Sequence, residues 1–151
     1  MIQNIVCSFL GTLMFSVLFN VHSRYYLYCG LTGMAGWVTY CLLVPHISPV
    51  PATFLGTIVV VLMSRILAVW RRCPITVFLI SGIFPLIPGT SVYYTAYYFV
   101  MDDLNMAVDK GIMALKHAFA MVLGIVFIVS IPREVFKVDY WRQRKNKVVS
   151  S

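Results

Sequence analysis

Charged side chains are scarce in this sequence. They make up 11% of its 151 residues, while hydrophobic residues make up 60%; charged residues are about a quarter of an ordinary soluble domain. A chain this short cannot bury so much apolar surface in a single core. The composition therefore excludes an ordinary soluble globular domain and predicts an all-α, polytopic membrane protein.

Acidic residues are the scarcest charged groups, with 5 Asp and Glu against 12 Lys and Arg, which gives a net charge of +7. Glu134 is the single glutamate, and no nucleophile and base fall at a credible spacing, so we expect no enzyme. The basic residues fall between apolar runs and form no stripe on one folded face. We therefore expect no nucleic acid as a partner.

Cysteine is also sparse, and its 4 copies are scattered singly, without a Cys-x-x-Cys pair or a His at ligand spacing. This pattern predicts neither a disulfide framework nor a metal site, and we expect no cofactor. Small buried hydrophobic side chains are the expected role of free cysteines. The cysteines are Cys7, Cys29, Cys41 and Cys73.

Long apolar runs, in contrast, are abundant. Cutting the chain at charges and at Pro or Gly clusters leaves five segments, each close to the roughly 20 residues that cross a bilayer. We predict a transmembrane domain over residues 1–131 and a basic cytoplasmic tail over residues 132–151. In the tail, Tyr140 and Trp141 lie beside basic residues, which suits contact with membrane lipids; a plain solvated tail is the equal alternative. The five predicted spans are residues 2–21, 26–44, 50–70, 74–101 and 111–131.

The connections between these spans differ in charge. Arg24 lies in the first connection, and Arg71 and Arg72 lie in the third, whereas the second has no Lys or Arg and the fourth contains Asp102 and Asp103. Because Lys and Arg accumulate on the cytoplasmic side, the pattern predicts an external N-terminus and a cytoplasmic C-terminus.

An odd number of spans has a consequence for transport. Many secondary transporters pair two halves of opposite topology around a site at mid-membrane, and five spans cannot contain two equal halves. A transporter of this kind would need a second chain or a second copy, as in a homo-oligomer. Gly30, Gly33 and Gly36 in the second span offer a flat face for close helix packing, against either a partner or a neighbouring span.

The fourth apolar segment is interrupted at Pro85, Pro88 and Gly89. Each proline removes a backbone donor and clashes with the carbonyl four residues earlier, which costs about 3 kcal/mol in an unbroken helix. Proline also disfavours helical geometry at the residue before it. We therefore predict a fourth transmembrane helix that is broken between Pro85 and Gly89 into two half-helices, residues 74–87 and 90–101.

The predicted break is a candidate binding site. Irregular backbone at membrane depth must be buried in protein or line a wet cavity. The second half-helix, with Thr90 and Ser91 as its expected N-cap residues, would present free amides and the positive end of its dipole, which attract a carboxylate. A merely kinked structural helix is the alternative. The candidate substrate-binding residues here are Pro88, Gly89, Thr90, Ser91 and Tyr93.

Further polar residues in the spans are candidates because burying charge in lipid is costly. Arg65 could neutralise a substrate carboxylate or extend its charge to the cytoplasmic surface. Asn20 and Arg24, one helical turn apart, could line the cytoplasmic mouth or cap a helix. Thr53 is a substrate-binding candidate that could equally cap the third span.

A histidine in the fifth span suggests proton coupling. His117 has an ordinary pKa near 6.5, suited to exchanging protons at physiological pH. Asp102 or Asp103 in the preceding connection could partner it. A histidine at the membrane interface without a coupling role is the alternative.

Four motifs carry a resemblance to a known family. They are "LFNVHSR" at residues 18–24, "PATF" at residues 51–54, "SRILAVWRRCPITVF" at residues 64–78, and "FPLIPG" at residues 84–89 followed by Tyr93. With them the chain resembles the threonine/serine exporter (ThrE) family over residues 15–131. The resemblance is to the short membrane subunit, which corresponds to the C-terminal half of full-length members.

The resemblance implies a subunit of a secondary exporter for threonine and serine, driven by the proton gradient and located in the bacterial cytoplasmic (inner) membrane. It also implies a larger, YjjP-like partner subunit that carries the other membrane half. The alternatives are a subunit that exports dicarboxylates such as succinate, or an accessory membrane protein without a pathway of its own.

Overall fold

The computed structural model describes residues 2–131, and all regular structure in that range is helical. The all-α class predicted from composition is confirmed, whereas the predicted tail over residues 132–151 lies outside the described residues. Two short 3₁₀ turns, Ser23–Tyr25 and Phe84–Leu86, join or extend the helices. The helices are α1 (Ile2–Leu18), α2 (Tyr26–Leu43), α3 (Pro49–Arg71), α4 (Thr76–Ile83), α5 (Gly89–Val100) and α6 (Leu104–Val129).

Three helices end in the same backbone motif. Asn20, Arg72 and Asp102 follow α1, α3 and α5 with φ values of 52°, 53° and 61°, in the left-handed region. After α1 the Val21 amide donates to the Ser16 carbonyl, and the amide of Asn20 donates to a carbonyl three residues back. This is the Schellman arrangement, in which a left-handed residue stops the helix and satisfies its last carbonyls.

The last helix begins earlier than the sequence predicted, at Leu104 rather than at residue 111. Asp103 occupies the N-cap position, and its carboxylate accepts a hydrogen bond from the Met106 amide at 3.2 Å. Asp109 and Lys110, which fall between the predicted fourth and fifth spans, lie within the helix. The predicted start followed the charged residues that interrupt the apolar run, whereas the helix itself begins at its N-cap residue.

The number of apolar spans differs from the prediction. In the described residues, α3 and α6 are long and apolar enough to cross a membrane. Thr76–Leu86 and Gly89–Val100 pass the same test together, with a bend of 52° between them, and α1 is apolar but short. The structure therefore supports two spans, or three with the bent pair, where the sequence predicted five. In α2, three glycines, three tyrosines and a tryptophan dilute the apolar character.

The helices pack around α2 and α3. Helix α2 contacts α1, α3 and α4, α3 also contacts α6, and α5 packs against α6. Buried Val60, Leu86 and Met121 form a core cluster that Trp37 and other half-buried side chains surround. The 3₁₀ turn before the break thus places one of its residues, Leu86, at the centre of the bundle.

The glycine face of α2 is used inside the chain. A Cβ added at Gly33 would lie 2.9 Å from Thr12 Cβ on α1, and one at Gly36 would lie 3.5 Å from the Gly56 carbonyl on α3. Close approach of helices at small residues was predicted, and the neighbouring-span alternative is the one observed. A subunit contact through this face is not available because α1 and α3 occupy it.

The fold places three arginines at one end of the bundle and the described acidic residues at the other. The Arg71 guanidinium lies 4.3 Å from the centre of the Tyr28 ring, so the end of α3 meets the start of α2. The 3₁₀ turn that contains Arg24 lies at this same end, since its Tyr25 ring packs 5.7 Å from Phe78 near the start of α4. The acidic residues that the structure describes lie at or near the start of α6, at the far end.

Candidate functional site

The break between α4 and α5 is a tight turn centred on Pro88. Ile87 is extended (φ −60°, ψ 130°), and Pro88 has φ −75° and ψ 53°. The Gly89 amide donates to the Ile87 carbonyl at 2.7 Å. These values describe an inverse γ-turn, the three-residue turn with a bond from residue i+2 to residue i. The helical path is therefore interrupted where the two prolines predicted it.

Two carbonyls before the break, those of Ser81 and Phe84, are satisfied. The Phe84 amide donates to the Ser81 carbonyl, and the Ile87 amide donates to the Phe84 carbonyl at 3.2 Å. The 3₁₀ turn Phe84–Leu86 thus extends the first half-helix and replaces the bonds that proline removes. The predicted half-helix over residues 74–87 is observed as Thr76–Ile83 with this turn at its end.

The second half-helix begins differently from the prediction. Pro88 occupies the N-cap position without a side-chain hydrogen bond, and Thr90 and Ser91 lie in the first turn instead of capping it. Gly89 does not have a positive φ, and a Cβ added there would meet nothing within 4 Å. Its expected special backbone conformation is therefore not used. The amides of Thr90 and Ser91 belong to the first turn, which lacks intrahelical acceptors, and Gly89 and Thr90 are exposed.

Tyr93 does not face the interior of the chain. It is 63% exposed, and α5 buries none of its residues. Its ring stacks on Tyr97 at a centroid distance of 6.4 Å, and Tyr94 stacks on Tyr98 at 6.0 Å. The tyrosines thus form two stacked pairs on an open helix face, and the two members of each pair are one helical turn apart. The residues predicted for the break are thus neighbours in one turn, and Tyr93 follows them on the exposed surface of α5.

Two candidates from distant segments meet inside the bundle. The hydroxyl of Thr53 on α3 lies 2.8 Å from Nδ1 of His117 on α6. The same hydroxyl donates to the Pro49 carbonyl at 3.0 Å. Both side chains are buried, with exposures of 1% and 8%. The sequence singled out each residue separately but gave no sign that they form a pair.

The predicted pairing of His117 with an aspartate is not formed. Asp103 caps the first turn of α6, and at 1.5 Å per residue it lies about 21 Å along the helix from His117. Asp102 lies in the turn before the helix. Both are exposed and their place at the helix start suits the positive end of the dipole. Among residues 2–131, no three His, Cys, Asp or Glu side chains are grouped as metal ligands.

Arg65 has a role that neither sequence alternative included. It is buried, with 7% exposure, and Nη2 donates to the Val129 carbonyl at 3.0 Å while Nη1 donates to the Ile131 carbonyl. The last carbonyls of a helix lack intrahelical donors, and a cation is favourable at that end. Arg65 therefore fixes the end of α6 against α3. Thr53, early in α3, contacts His117. Arg65, later in α3, contacts Val129, which is later in α6. The two helices therefore run parallel.

Asn20 and Arg24 do not share a helix face. Helix α1 ends at Leu18, Asn20 is the left-handed residue that stops it, and Arg24 belongs to the following 3₁₀ turn. Both are exposed at the basic end of the bundle. The sequence spacing suggested one turn of continuous helix because the apolar run extends to Val21. An apolar run alone does not show where a Schellman motif ends a helix.

A set of buried hydroxyls was not predicted from the sequence. Each donates to the carbonyl four residues earlier in its own helix, at 2.7–2.9 Å, so it needs no partner from another helix. Small polar side chains recurring every four residues in an apolar run, as at residues 8, 12 and 16, were the available signal. These residues are Thr12, Ser16, Thr57 and Ser64.

The similarity of the chain to known proteins gives both its class of protein and its family. The chain is a member of a family of exporters: the family model described as threonine/serine exporter, ThrE, matches residues 4–131. It therefore belongs to the threonine/serine exporter family, as the motifs predicted.

One relative is a threonine/serine exporter of Corynebacterium glutamicum. It is 30% identical over 97 residues, which cover 64% of this chain and 20% of that protein. The chain thus matches about a fifth of the relative's length. No solved structure matches the chain.

Proposed function

We propose that this chain is the membrane subunit of a secondary exporter that moves threonine and serine out of the bacterial cytoplasm. The family match over residues 4–131 is the observation that carries the proposal. Membership of an exporter family favours transport over catalysis.

The proposed setting is the cytoplasmic (inner) membrane, which the chain crosses more than once. Helices α3 and α6 and the bent pair have the required length and hydropathy. The basic end of the bundle, with Arg24, Arg71 and Arg72, would face the cytoplasm because Lys and Arg accumulate there. This orientation also places the N-terminus outside and the C-terminus in the cytoplasm.

The break supports a passage for a carboxylate. The first turn of α5 presents amides and the positive end of a helix dipole at Thr90 and Ser91, next to an open γ-turn. Such a helix start attracts anionic groups, and every α-amino acid carries a carboxylate. Arg65 acts in this proposal as support for the α3–α6 pair and not as the group that binds the substrate.

Proton coupling would use the Thr53–His117 pair. A hydroxyl has one proton, and that of Thr53 is donated to the Pro49 carbonyl at 3.0 Å. The 2.8 Å contact is then best satisfied if Nδ1 of His117 carries the proton and donates it to Thr53. In this tautomer Nε2 holds a lone pair. His117 can therefore gain and lose a proton at Nε2 without breaking its bond to Thr53.

The proposed exporter also needs a partner subunit. The curated relative is about five times longer than the segment that this chain matches. Helix α5 buries no residue and packs against α6, so its remaining surface is open to another chain. We propose a larger, YjjP-like membrane subunit as that partner; a second copy of this chain is the alternative.

The decisive experiment is an efflux assay in bacteria that lack their own exporters. Cells are loaded with a threonine-rich dipeptide, and external threonine is measured with this chain, with the partner and with both. We expect faster efflux when both are present. Succinate release, followed in the same cells, would instead favour dicarboxylate export. Unchanged efflux of both compounds would contradict transport and leave an accessory role.

A further inference from the structure

A cavity of about 350 Å³ lies at the basic end of the bundle. It opens between the end of α1, the 3₁₀ turn Ser23–Tyr25 and the start of α4. Its volume is within the range of small-molecule sites, about 300–1,000 Å³. Apolar side chains such as Phe19 and Ile80 line part of it, and the polar lining consists of Asn20, His22, Cys73, Thr76 and Ser81, with Tyr25 at the edge.

One lining residue has a buried polar group without a partner. Ser81 is 0% exposed, and its hydroxyl makes no hydrogen bond to any part of the chain that the structure describes. Its polar neighbour is the Cys29 thiol, which itself donates to the Val77 carbonyl at 3.5 Å. Sulfur is a weak acceptor, so this neighbour leaves the Ser81 hydroxyl without a strong hydrogen bond. The other buried hydroxyls all have partners: most donate to a carbonyl of their own helix, and Ser8 donates to the Gly33 carbonyl on α2. Since a buried unpaired hydroxyl is unfavourable, the exception at Ser81 points to a ligand.

Among the described residues, the charged side chains of the segments that form the cavity are all basic. Arg24 lies in the 3₁₀ turn that forms one wall, and Arg71 and Arg72 directly precede Cys73. The acidic residues within 2–131 are at the opposite end of the bundle. A cleft surrounded by positive charge raises the local concentration of anions. The cavity therefore favours a ligand with an anionic group, and the carboxylate of an amino acid is such a group.

We propose that this cavity is the cytoplasmic binding site for a small amino acid, which enters it before reaching the break. The arginines attract its carboxylate, and the Ser81 hydroxyl and Asn20 amide bind its polar groups. Ile80 and Phe19 contact its apolar part. The inference rests on the proposed export function, because it assumes that a small amino acid is the substrate.

Cys73 provides a reporter that does not depend on transport. Its thiol lines the cavity, so a bound amino acid would slow its alkylation by N-ethylmaleimide. Partial burial raises the pKa of this thiol above its ordinary value, and the labelling is therefore done above neutral pH, where more thiolate forms. The full chain is purified in detergent, and labelling of each cysteine is followed by mass spectrometry with increasing L-threonine.

Two variants test the polar groups. Ser81→Ala removes the hydroxyl at the cost of no more than a weak contact with the Cys29 thiol, and Asn20→Gly removes the amide while keeping the left-handed turn that ends α1. We expect L-threonine to protect Cys73 in the original chain, and either variant to raise the half-protecting concentration about fivefold, as for the loss of one hydrogen bond. A cysteine at the exposed Ser48, made by Ser48→Cys at the other end of the bundle, is the control.

The outcomes separate this site from the export function. Protection of Cys73 that the variants weaken supports the site, whether or not efflux is found in cells. Efflux without protection, or equal protection of Cys73 and the Ser48→Cys control, overturns the site and leaves export standing. Protection by succinate but not by L-threonine overturns the amino acid as its ligand.

Discussion

Replacing Gly33 by alanine tests how tightly α1 and α2 are packed. The new Cβ would lie 2.7 Å from Thr12 Cγ2 and 2.9 Å from Thr12 Cβ. Rotating the threonine side chain can move Cγ2 but not its Cβ, so the two helices must separate. The perturbation therefore reaches the backbone of α1 and cannot be absorbed by one flexible side chain.

The expected cost follows from two opposing effects. Overpacking a well-packed interface costs about 1–3 kcal/mol, and the clash with a Cβ places this site at the upper end. Alanine regains roughly 1 kcal/mol over glycine through helix propensity. The net loss is about 1–2 kcal/mol, or about 3–6 °C in Tm for a chain of this size. Tryptophan fluorescence during heating in detergent measures it.

Gly11→Ala is the matched control, since a Cβ added at Gly11 meets nothing within 4 Å. It should raise Tm by about 2–4 °C through helix propensity alone. Gly33→Ala combined with Thr12→Ala should recover part of the loss, because the alanine at residue 12 keeps its Cβ. If Gly33→Ala were as stable as Gly11→Ala, the close packing of α1 on α2 would be refuted.

Three further predictions concern the candidate site. Thr53→Val leaves His117 Nδ1 buried without its partner, and we expect a stability loss of about 1–3 kcal/mol and an altered pH dependence of threonine efflux. Gly89→Ala should change Tm by no more than about 2 °C because its Cβ enters open space, whereas Gly89→Leu should reduce efflux by blocking the turn. Arg65→Met should lower stability by about 2–4 kcal/mol because the carbonyls at the end of α6 lose a charged donor.

Each of these has its own control. Thr53→Ser keeps the hydroxyl and should retain both stability and pH dependence; loss in the serine variant as well would mean that the methyl group, and not the hydrogen bond, matters. Normal efflux in Gly89→Leu would make the break purely structural. Arg65→Lys keeps the charge but cannot reach two carbonyls with a planar fork, so equal stability of Arg65→Lys and the original chain would refute the two-carbonyl contact.

Local backbone chemistry was predictable from the sequence. Pro85 and Pro88 placed the break between two half-helices, and the structure has an interruption there because no proline can complete the backbone ladder. The small residues of α2 predicted close helix approach, which Gly33 and Gly36 show. The break and the close helix approach each depend on a few residues that are near one another in the sequence, so the sequence pattern is enough to predict them.

Long-range pairing was not predictable in the same way. Thr53 and His117 are 64 residues apart, and their contact depends on α3 and α6 packing in parallel, which no local pattern encodes. Arg65 could be recognised as a buried charge but not as a donor to the end of another helix. The ends of some helices were also predicted at the wrong residues. Asp103 determines where α6 begins and Asn20 determines where α1 ends, and neither residue marks the boundary of an apolar run.

Helix α5 has a practical consequence for future mutagenesis. Helix α5 buries none of its residues, and α6 is the one helix with which it makes extensive contact among the described residues. Most of its side chains therefore contribute little to the folding free energy. Substitutions on its open face therefore separate activity from stability, which is rarely possible in a small helical bundle. A loss of efflux caused by a change at Tyr93 or Tyr97, with Tm unchanged, would then be an effect on function.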